Sequence, residues 1–374
     1  MYRGHTVGVV VPAYNEEAHI GEVLETMPPL VDLVYAVDDC STDGTWDVIR
    51  SYADRSAAET GGGSGDRAEV GTGAKLGEPG EHGSRPEPAT DREQPPIPDG
   101  GVTTARSGVT ATGSRIVPIR HEENQGAGGA LRTGYIHAYA DGVDVAVAMD
   151  ADGQMDPAQL PALLDPVVEG VADYAKGNRL ATPDDWREMP PFRLFGNWLL
   201  TVLTKASSGY WRLQDPQNGY TAMSQRALSE LDLEAIPDDH DYTNDLLVRL
   251  NAAGFRVADV SMPAVYRDEE STIDFGTFVR TTSVTLARGF LWRLRWTYRE
   301  SGRYAVPLCY ACGVAGTAVA ATAGLATVAS LLAGSAIAGG IGQLAAVLFG
   351  VGIVALLAAT VLDVHENRGL EVKC

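Results

Sequence analysis

Apolar residues fall into a regular pattern over the first 270 positions of this chain. Continuous, β-branched runs are typical of strands buried on both faces of a parallel sheet, and each of the first three is followed by a stretch with helical spacing. Four such runs occur, at residues 7–14, 33–39, 115–120 and 143–150. Asn15 stands where it can cap the first helix, which we expect to begin at Glu16. The alternation predicts an α/β fold with right-handed crossovers.

Residues 56–114 interrupt this pattern with a stretch rich in glycine, proline, serine and charged residues. Such a composition buries too little apolar surface to offset the entropy that is lost on ordering. Because the strand pattern resumes at Arg115, we predict a disordered acidic insert that splits one domain, spanning residues 1–270, without ending it.

The segment 304–362 contains no charged residue. One bilayer crossing takes about 20 apolar residues, so the segment is long enough for two transmembrane helices with a turn at residues 334–343. Gly316 and Ala320, one helical turn apart, would allow the two helices to approach closely. A hairpin buried inside a soluble core is the alternative interpretation.

Basic residues flank this segment on both sides and are missing from its turn. The positive-inside rule therefore predicts a two-span protein of the cell membrane with its α/β domain and both termini in the cytoplasm. Residues 271–303 mix arginine with phenylalanine, tryptophan and tyrosine, which predicts interfacial amphipathic helices in the headgroup layer of the lipid bilayer. Residues 363–374 are expected to form a cytoplasmic tail.

The amino-acid composition limits the classes of molecule that the protein could bind. The net charge is −20, from 49 acidic and 29 basic residues, and only four of the basic residues are lysine. Self-repulsion keeps such a chain soluble at high salt, which predicts a halophilic archaeal protein. Because phosphate backbones bind basic surfaces, the acidic excess excludes nucleic acid as a partner. Cys309 and Cys312 lack the two further ligands of a zinc site.

Acidic residues follow two of the predicted strands at their carboxyl ends, where open α/β sheets bind ligands. Asp38 and Asp39 end one strand, and Asp150 and Asp152 follow another. Two carboxylates separated by one residue can converge on a hard cation, and Mg²⁺ or Mn²⁺ is bound by such oxygens together with substrate phosphates. The alternative is that Asp152 or Asp156 only caps the next helix.

Four motifs in a fixed order make a stronger pattern than the acidic pair alone. They are "VPAYNEE" at 11–17, "VDDCSTDGT" at 37–45, "NQGAGGALRTG" at 124–134 and "MDADGQ" at 149–154. With them the chain resembles family 2 glycosyltransferases of the GT-A fold, close to dolichyl-phosphate mannose or glucose synthases, over most of residues 5–300. The resemblance implies a mixed sheet that binds a nucleotide sugar and has helices on both faces.

The resemblance also implies roles for single residues. A nucleotide sugar would contact Pro12, Tyr14, Glu16, Val37, Asp39, Asp150, Ala151 and Asp152. In this set Asp39 would hydrogen-bond the base or the ribose, and Asp150 and Asp152 would bind the metal ion with Gln154. Phosphate contacts are implied for Arg179, Arg193 and Arg267, because the fixed donors of arginine suit phosphate oxygens.

Two of these arginines have competing interpretations. Arg193 is also placed to form a surface pair with Glu188. Near Arg267 the family often has a small residue followed by Ser-Lys, whereas this chain has Thr272 where the lysine is expected. The departure weakens the inferred contact between Arg267 and an acceptor phosphate.

The glycine-rich motif also looks like a dinucleotide fingerprint. Leu131, however, stands where that fingerprint needs its third glycine, which argues against a hydride-transfer enzyme. We therefore expect Gly126 and Gly128 to allow the backbone to approach the donor sugar or a neighbouring strand closely.

Together the features predict a glycosyltransferase. It would transfer a hexose, with inversion and a divalent metal, from a nucleotide sugar of the GDP-mannose or UDP-glucose class to a polyprenyl (dolichyl) phosphate, feeding protein glycosylation. A phosphate monoester has a second pKa of about 6 and needs no strong base. A hydroxyl acceptor would need a positioned carboxylate, and Asp215 and Asp245 are the catalytic candidates. Asn244 stands where the family commonly has Glu, and Asp245 is equally interpreted as a helix-face acid.

Two other functions fit the same residues. One is a family 2 transferase that extends a lipid-linked glycan or polysaccharide. The other is a nucleotide-binding membrane scaffold without catalysis. The sequence does not decide the donor sugar, for which UDP-N-acetylglucosamine is a further option, or the oligomeric state.

Overall fold

The structure is a computed structural model that describes residues 1–61, 102–104, 115–179, 191–239, 241–263, 275–300, 302–333 and 338–374.

A mixed sheet forms the centre of the α/β domain. Its strands are β1 Val7–Ala13, β2 Leu33–Asp38, β3 Val102–Thr104, β4 Ile116–His121, β5 Val145–Ala148, β6 Tyr174–Asn178, β7 Thr221–Ser224, β8 Val257–Ser261 and β9 Glu371–Lys373. They lie in the order β3-β4-β2-β1-β5-β7-β6-β8-β9. β3 and β7 run antiparallel to their neighbours, and the other described pairings are parallel. The predicted mixed α/β sheet is confirmed.

Helices cover both faces of this sheet. Those of the α/β domain are α1 Ile20–Glu25, α2 Thr45–Gly61, α3 Gly126–Ala140, α4 Leu160–Val168, α5 Pro191–Ser208, α6 Gln225–Glu230, α7 Tyr242–Ala252 and α8 Phe275–Arg299, and they are followed by α9 Ala305–Leu332 and α10 Ala338–Glu366. Val9 of β1 belongs to a core cluster with α1, α2 and α4, whereas Val10 belongs to the opposite cluster with α3, α6 and α7. Successive side chains of β1 therefore enter two cores, as its continuous apolar run predicts.

The strand directions bring the predicted motifs to one edge. β1, β2, β4, β5 and β6 share one direction, so their carboxyl ends meet at the same side of the sheet. The loops after β1, β2 and β5 carry the acidic and aromatic motifs, and Arg179 directly follows β6. The site predicted from separate motifs is thus assembled at a single edge.

Three boundaries differ from those expected from the sequence. α2 continues to Gly61, into the segment 56–114 that was predicted to be disordered, and residues 102–104 of the same segment form strand β3; residues 62–101 and 105–114 lie outside the described ranges. α1 begins at Ile20, with no side-chain cap. Asn15 does not cap it, because its side-chain oxygen accepts a 2.8 Å hydrogen bond from Thr42 N in the neighbouring loop.

α9 and α10 form an apolar hairpin. Each contains a stretch of 28 residues that is long and apolar enough to span a membrane. Such a stretch of helix is about 42 Å long, whereas the hydrocarbon layer of a bilayer is about 30 Å thick. Most of their leucines and valines face outward, including Leu325 and Val361, so the alternative of a buried core hairpin is wrong. Gly316 faces Gly352, where an added Cβ would lie 3.2 Å from the partner Cα. The predicted close approach at Gly316 is confirmed.

The hairpin is joined to the α/β domain at both ends. Arg293 of α8 donates two hydrogen bonds, of 2.8 and 2.9 Å, to the Asp363 carboxylate near the end of α10. Beyond α10 the chain returns to the sheet, where β9 pairs in parallel with β8. The residues predicted to be a tail, 363–374, are therefore an integral part of the domain.

Candidate active site

The loop after β5 presents the two acids of the "MDADGQ" motif. Met149 and Ala151 point into the core, and Asp150 and Asp152 alternate with them on the partly exposed side. Gln154 N donates a 2.8 Å hydrogen bond to Asp152 Oδ1, which holds the turn. The two carboxylates therefore extend from the same short loop at the carboxyl edge of the sheet.

Asp150 stands in an unfavourable environment for a negative charge. Burial raises the pKa of its carboxyl to about 7, the charges of Asp152 and Glu16 add to the rise, and the charge of Arg179 opposes it. Like charges brought together in this way are relieved by a cation.

The donor set fits a divalent ion that is shared with a substrate. Among the described residues no three His, Cys, Asp or Glu side chains come together as a complete metal site. Mg²⁺ is typically held by one or two carboxylates together with substrate phosphates. Asp150 and Asp152 supply the two carboxylates, and the Gln154 side chain is close in sequence as a further oxygen donor.

The loop after β1 forms the neighbouring wall. Asn15 N donates to Ser41 Oγ over 2.9 Å, and Glu16 N donates to Thr45 Oγ1 over 2.8 Å, so the loops after β1 and β2 are tied together. Tyr14 is 48% exposed, and Pro12 at the end of β1 is partly exposed. The edge thus offers a free aromatic ring and a carboxylate, that of Glu16, whose charge acts on the acidic pair.

Asp39 lies at the predicted edge, but its carboxylate is already engaged. His121 Nδ1 lies 2.7 Å and Gln125 N 2.8 Å from Oδ1, while Gly126 N lies 2.7 Å from Oδ2. Asp39 therefore serves the amino end of α3, where a negative charge is stabilised by the helix dipole. A base or ribose would have to share oxygens that already accept three hydrogen bonds.

Two other members of the predicted nucleotide-sugar set have buried side chains. Val37 lies fully in the core beside α3, and Ala151 lies in the opposite core. Each can contact a ligand only through its backbone.

Gly126 and Gly128 of the glycine-rich motif contact a loop. A Cβ on Gly128 would lie 1.9 Å from Pro237 O, and one on Gly126 would lie 2.4 Å from Asp238 O. Gly128 N also donates a 2.8 Å hydrogen bond to Asp238 O. The close approach expected at these glycines is confirmed, and the protein neighbour is the segment that leads into α7 rather than a strand; an approach to the donor sugar stays a prediction.

Asp215 and Arg179 form a pair at the end of β6. Asp215 accepts from Arg179 N over 3.1 Å, from Nε over 2.9 Å and from Nη2 over 3.2 Å. Burial acts to raise the pKa of Asp215, but the hydrogen bonds and charge of Arg179 lower it overall. Asp215 therefore orients Arg179, and its role as a general base for a hydroxyl acceptor stays a prediction.

Asp245 belongs to a different contact group. Burial raises the pKa of its carboxyl, which also accepts a hydrogen bond from Arg249 one turn along α7. The Arg249 guanidinium in turn lies 5.4 Å from the centre of the Trp292 ring on α8. Asp245 is thus connected to the helix that leads into the apolar hairpin.

Two residues in the site had no role in the sequence-based prediction. A Cβ on Gly219 would lie 3.2 Å from Asp150 Oδ2 and 3.3 Å from the Tyr242 hydroxyl. Gly219 therefore lies beside both Asp150 and Tyr242. Neither spacing nor residue type distinguished Gly219 or Tyr242 in the sequence.

The two remaining arginines are only partly located. The backbone of Arg193 belongs to the first turn of α5, but its side chain is outside the described part of the structure. Arg267 lies entirely outside the described ranges. Their phosphate contacts stay predictions.

A comparison with known proteins identifies the family to which the chain is similar. The model of "Glycosyl transferase family 2" matches residues 8–63 and 98–232, just over half of the chain. The break in this match falls inside the insert predicted from composition.

Two curated relatives and one solved structure are similar to the chain. UDP-N-acetylglucosamine–dolichyl-phosphate N-acetylglucosaminyltransferase of Methanococcus voltae is 30% identical over 41% of this chain and 61% of its own length. Polyprenol monophosphomannose synthase of Mycolicibacterium smegmatis is 30% identical over 54% of this chain and 77% of its own. Glucosyl-3-phosphoglycerate synthase of Mycobacterium tuberculosis, solved with uridine diphosphate, has a TM-score of 0.47 at 20% identity, over 77% of this chain and 80% of that one. From the family match and the sequence relatives, the chain belongs to glycosyl transferase family 2.

Proposed function

We propose that this glycosyltransferase moves a hexose from a nucleotide sugar to a polyprenyl phosphate at the membrane surface. The observation that carries the proposal is the convergence of Asp150, Asp152 and Arg179 at one edge of the sheet. An acidic pair beside an arginine suits a ligand that brings both a cation and phosphate oxygens.

The donor would lie across the ends of β1, β5 and β6. Asp150 and Asp152, with Gln154, would hold Mg²⁺ or Mn²⁺, which would neutralise the diphosphate leaving group when bound. Arg179, oriented by Asp215, would donate hydrogen bonds to the same diphosphate. Tyr14 would contact the nucleoside from the loop after β1, together with Pro12, Glu16 and the backbone near Val37 and Ala151.

The acceptor is proposed from the hairpin and from the relatives. Both similar sequence relatives are named for a dolichyl or polyprenol phosphate product or acceptor, whereas their sugars differ. A long isoprenoid stays in the bilayer, so its phosphate is presented in the headgroup plane. That phosphate would attack the anomeric carbon in line and invert its configuration, without a strong base because its second pKa is about 6.

The donor sugar and the pathway that uses the product are further parts of the proposal. The relatives leave GDP-mannose, UDP-glucose and UDP-N-acetylglucosamine as donors, and the product would feed protein glycosylation. Asp245, whose raised pKa brings it nearer to the range of a general base, supports the second candidate, a transferase that extends a lipid-linked glycan through a hydroxyl acceptor.

The topology is part of the same proposal. Because α8 precedes the hairpin and β9 follows it, and both pack on the α/β domain, the two ends of the hairpin would emerge on the side of that domain. Arginines flank these ends, which supports a cytoplasmic location for the domain and both termini.

A transfer assay tests the function. The full-length protein in lipid vesicles is incubated with each labelled donor, Mn²⁺ and dolichyl phosphate. We expect an acid-labile lipid that carries a single sugar and requires the metal. A lipid carrying more than one sugar, formed only from a prior glycolipid, would favour glycan extension. The absence of metal-dependent transfer from every donor would refute catalysis of this kind.

A further inference from the structure

Lys176 and Asp259 form an ion pair inside the α/β domain. The two residues are register partners across β6 and β8, and Lys176 Nζ donates to Asp259 Oδ1 over 2.8 Å. Lys176 is 1% exposed and Asp259 6% exposed. Burying each charge costs several kcal/mol, and well-packed apolar residues are often as stable in such a place. A contribution to folding stability alone therefore does not explain why an ion pair is buried here.

The other hydrogen bonds of the pair converge on one residue of the next loop. Lys176 Nζ also donates to Gln214 O over 2.5 Å and to Gly177 O over 3.0 Å. Asp259 Oδ2 accepts from Gln214 N over 3.2 Å and from Asn178 Nδ2 over 2.9 Å. The pair thus holds both backbone groups of Gln214, and the three ammonium protons and both carboxylate oxygens are used.

Gln214 immediately precedes the residue that orients Arg179. Asp215 has a φ of 43°, a left-handed conformation that costs a non-glycine residue about 1–3 kcal/mol and persists only where the surroundings fix it. Fixing the Gln214 backbone is a direct way to impose that conformation. In it, the Asp215 carboxylate faces Arg179 and also accepts from Asn218 Nδ2 over 3.3 Å.

We propose that Lys176 and Asp259 are positioning residues for glycosyl transfer, which hold Gln214 so that Asp215 aims Arg179 at the donor diphosphate. The inference rests on the function proposed above. It assigns the buried pair a role through three successive contacts. The pair fixes Gln214, Gln214 fixes Asp215, and Asp215 fixes the guanidinium beside Asp150.

Two variants and a matched control test this role. Asp259→Asn removes one charge, and the double variant Lys176→Met with Asp259→Asn removes both, so that no unpaired charge stays buried if the single variant folds poorly. The control is Asp173→Asn. Asp173 is also 6% exposed and holds Arg226 and Arg256 N, but it precedes β6 at the end of the strand remote from Arg179.

The readouts are the melting temperature and the kinetics of transfer to dolichyl phosphate. The kcat and the KM for the donor are measured at a temperature well below the melting temperature. We expect all variants to melt at lower temperature. We expect kcat to fall about 10- to 100-fold, as for a misplaced catalytic group, in Asp259→Asn and in the double variant, with Asp173→Asn close to wild type.

The results separate the inference from the function on which it rests. An active wild type with unchanged kcat in the double variant would show that the pair is only structural and would overturn the inference alone. An equal loss of kcat in Asp173→Asn would do the same. A wild type that transfers no sugar would overturn the proposed function and this inference with it.

Discussion

Asp150 and Asp152 differ in their surroundings although a single residue separates them. Asp150 lies beside Gly219, whereas Asp152 accepts a hydrogen bond from the backbone of its own turn. Burial and the neighbouring charge raise the pKa of Asp150 to about 7. Without a cation, this raised pKa favours a proton on the Asp150 carboxyl below about pH 7, and a metal ion would compete with that proton.

Replacing Asp152 tests the acidic pair directly. Asp152→Asn keeps the size of the side chain but removes one charge from the pair, so we expect transfer to fall by about 100-fold or more and the half-saturating Mn²⁺ concentration to rise. The measurement is the initial rate of sugar transfer against Mn²⁺ concentration. Asp156→Asn is the control, since Asp156 only caps the next turn and asparagine caps equally well. Full activity in Asp152→Asn would contradict the assignment.

The pKa of Asp150 makes metal binding pH-dependent. Its carboxyl must lose a proton to bind the ion, so protons compete below about pH 7 and the affinity for Mn²⁺ should weaken as the pH falls from 8 to 6. Calorimetric titration at fixed ionic strength measures this. In Asp152→Asn, the loss of the neighbouring charge should move the transition to lower pH. Equal affinity at pH 6 and 8 in the wild type would argue against Asp150 as a ligand.

At the level of elements, the sequence predicts the long buried strands and misses the short or edge ones. β1, β2 and β5 are continuous apolar runs that only a covered sheet accommodates, and they form where expected. β3 and β9 have three residues each, too few for a periodic signal. Their pairing depends on neighbours that are distant along the chain.

The roles of polar and glycine residues were harder to predict for a related reason. An aspartate after a strand can bind a ligand or serve a helix end with the same local sequence. The hydrogen bonds that Asp39 accepts from Gln125 and Gly126 at the start of α3 could not be read from that sequence. Glycine reports a close approach but not its partner, so the contact of Gly128 with the 237–239 loop needed the tertiary structure.

The contact of α3 with that loop predicts a stability effect. In Gly128→Ala the new methyl group would meet Pro237 O at 1.9 Å, so we expect a loss of about 1–3 kcal/mol from overpacking. Gly21→Ala in α1 is the control, because its methyl group would meet only ordinary contacts at 3.4 Å and alanine favours a helix. Thermal unfolding compares the two. An unchanged melting temperature in Gly128→Ala would show that the loop yields.

For the whole molecule, the apolar hairpin and the α/β domain form a continuous structure. Arg293 is 2% exposed, and besides Asp363 it donates to Ser207 O over 2.8 Å and to Ala206 O over 3.0 Å at the end of α5. Trp211 Nε1 also donates to Asp363, over 3.1 Å. α5, α8 and α10 thus meet at one buried ion pair, at the point where the chain leaves the proposed membrane.

Breaking this pair should loosen the joint. Asp363→Ala leaves the Arg293 charge buried without a partner, for which we expect a loss of about 3–5 kcal/mol. Glu366→Gln is the control, because its pair with Arg303 is 3.9 Å long and partly exposed and such pairs contribute at most about 1 kcal/mol. Thermal unfolding and limited proteolysis in detergent measure both. Equal stability of the two variants would show that Arg293 finds other partners.

The return of the chain to the sheet through β9 also constrains how the protein is made. β9 follows both apolar helices, so a ribosome completes them before it releases the strand that covers β8. Until then β8 keeps unpaired backbone groups along one side, and an open sheet edge of this kind invites association with other chains. Translation that stalls within α10 would leave that edge bare. With the proposed topology, the nascent protein would therefore be exposed to aggregation while its hairpin is being inserted, and delayed insertion would prolong that interval.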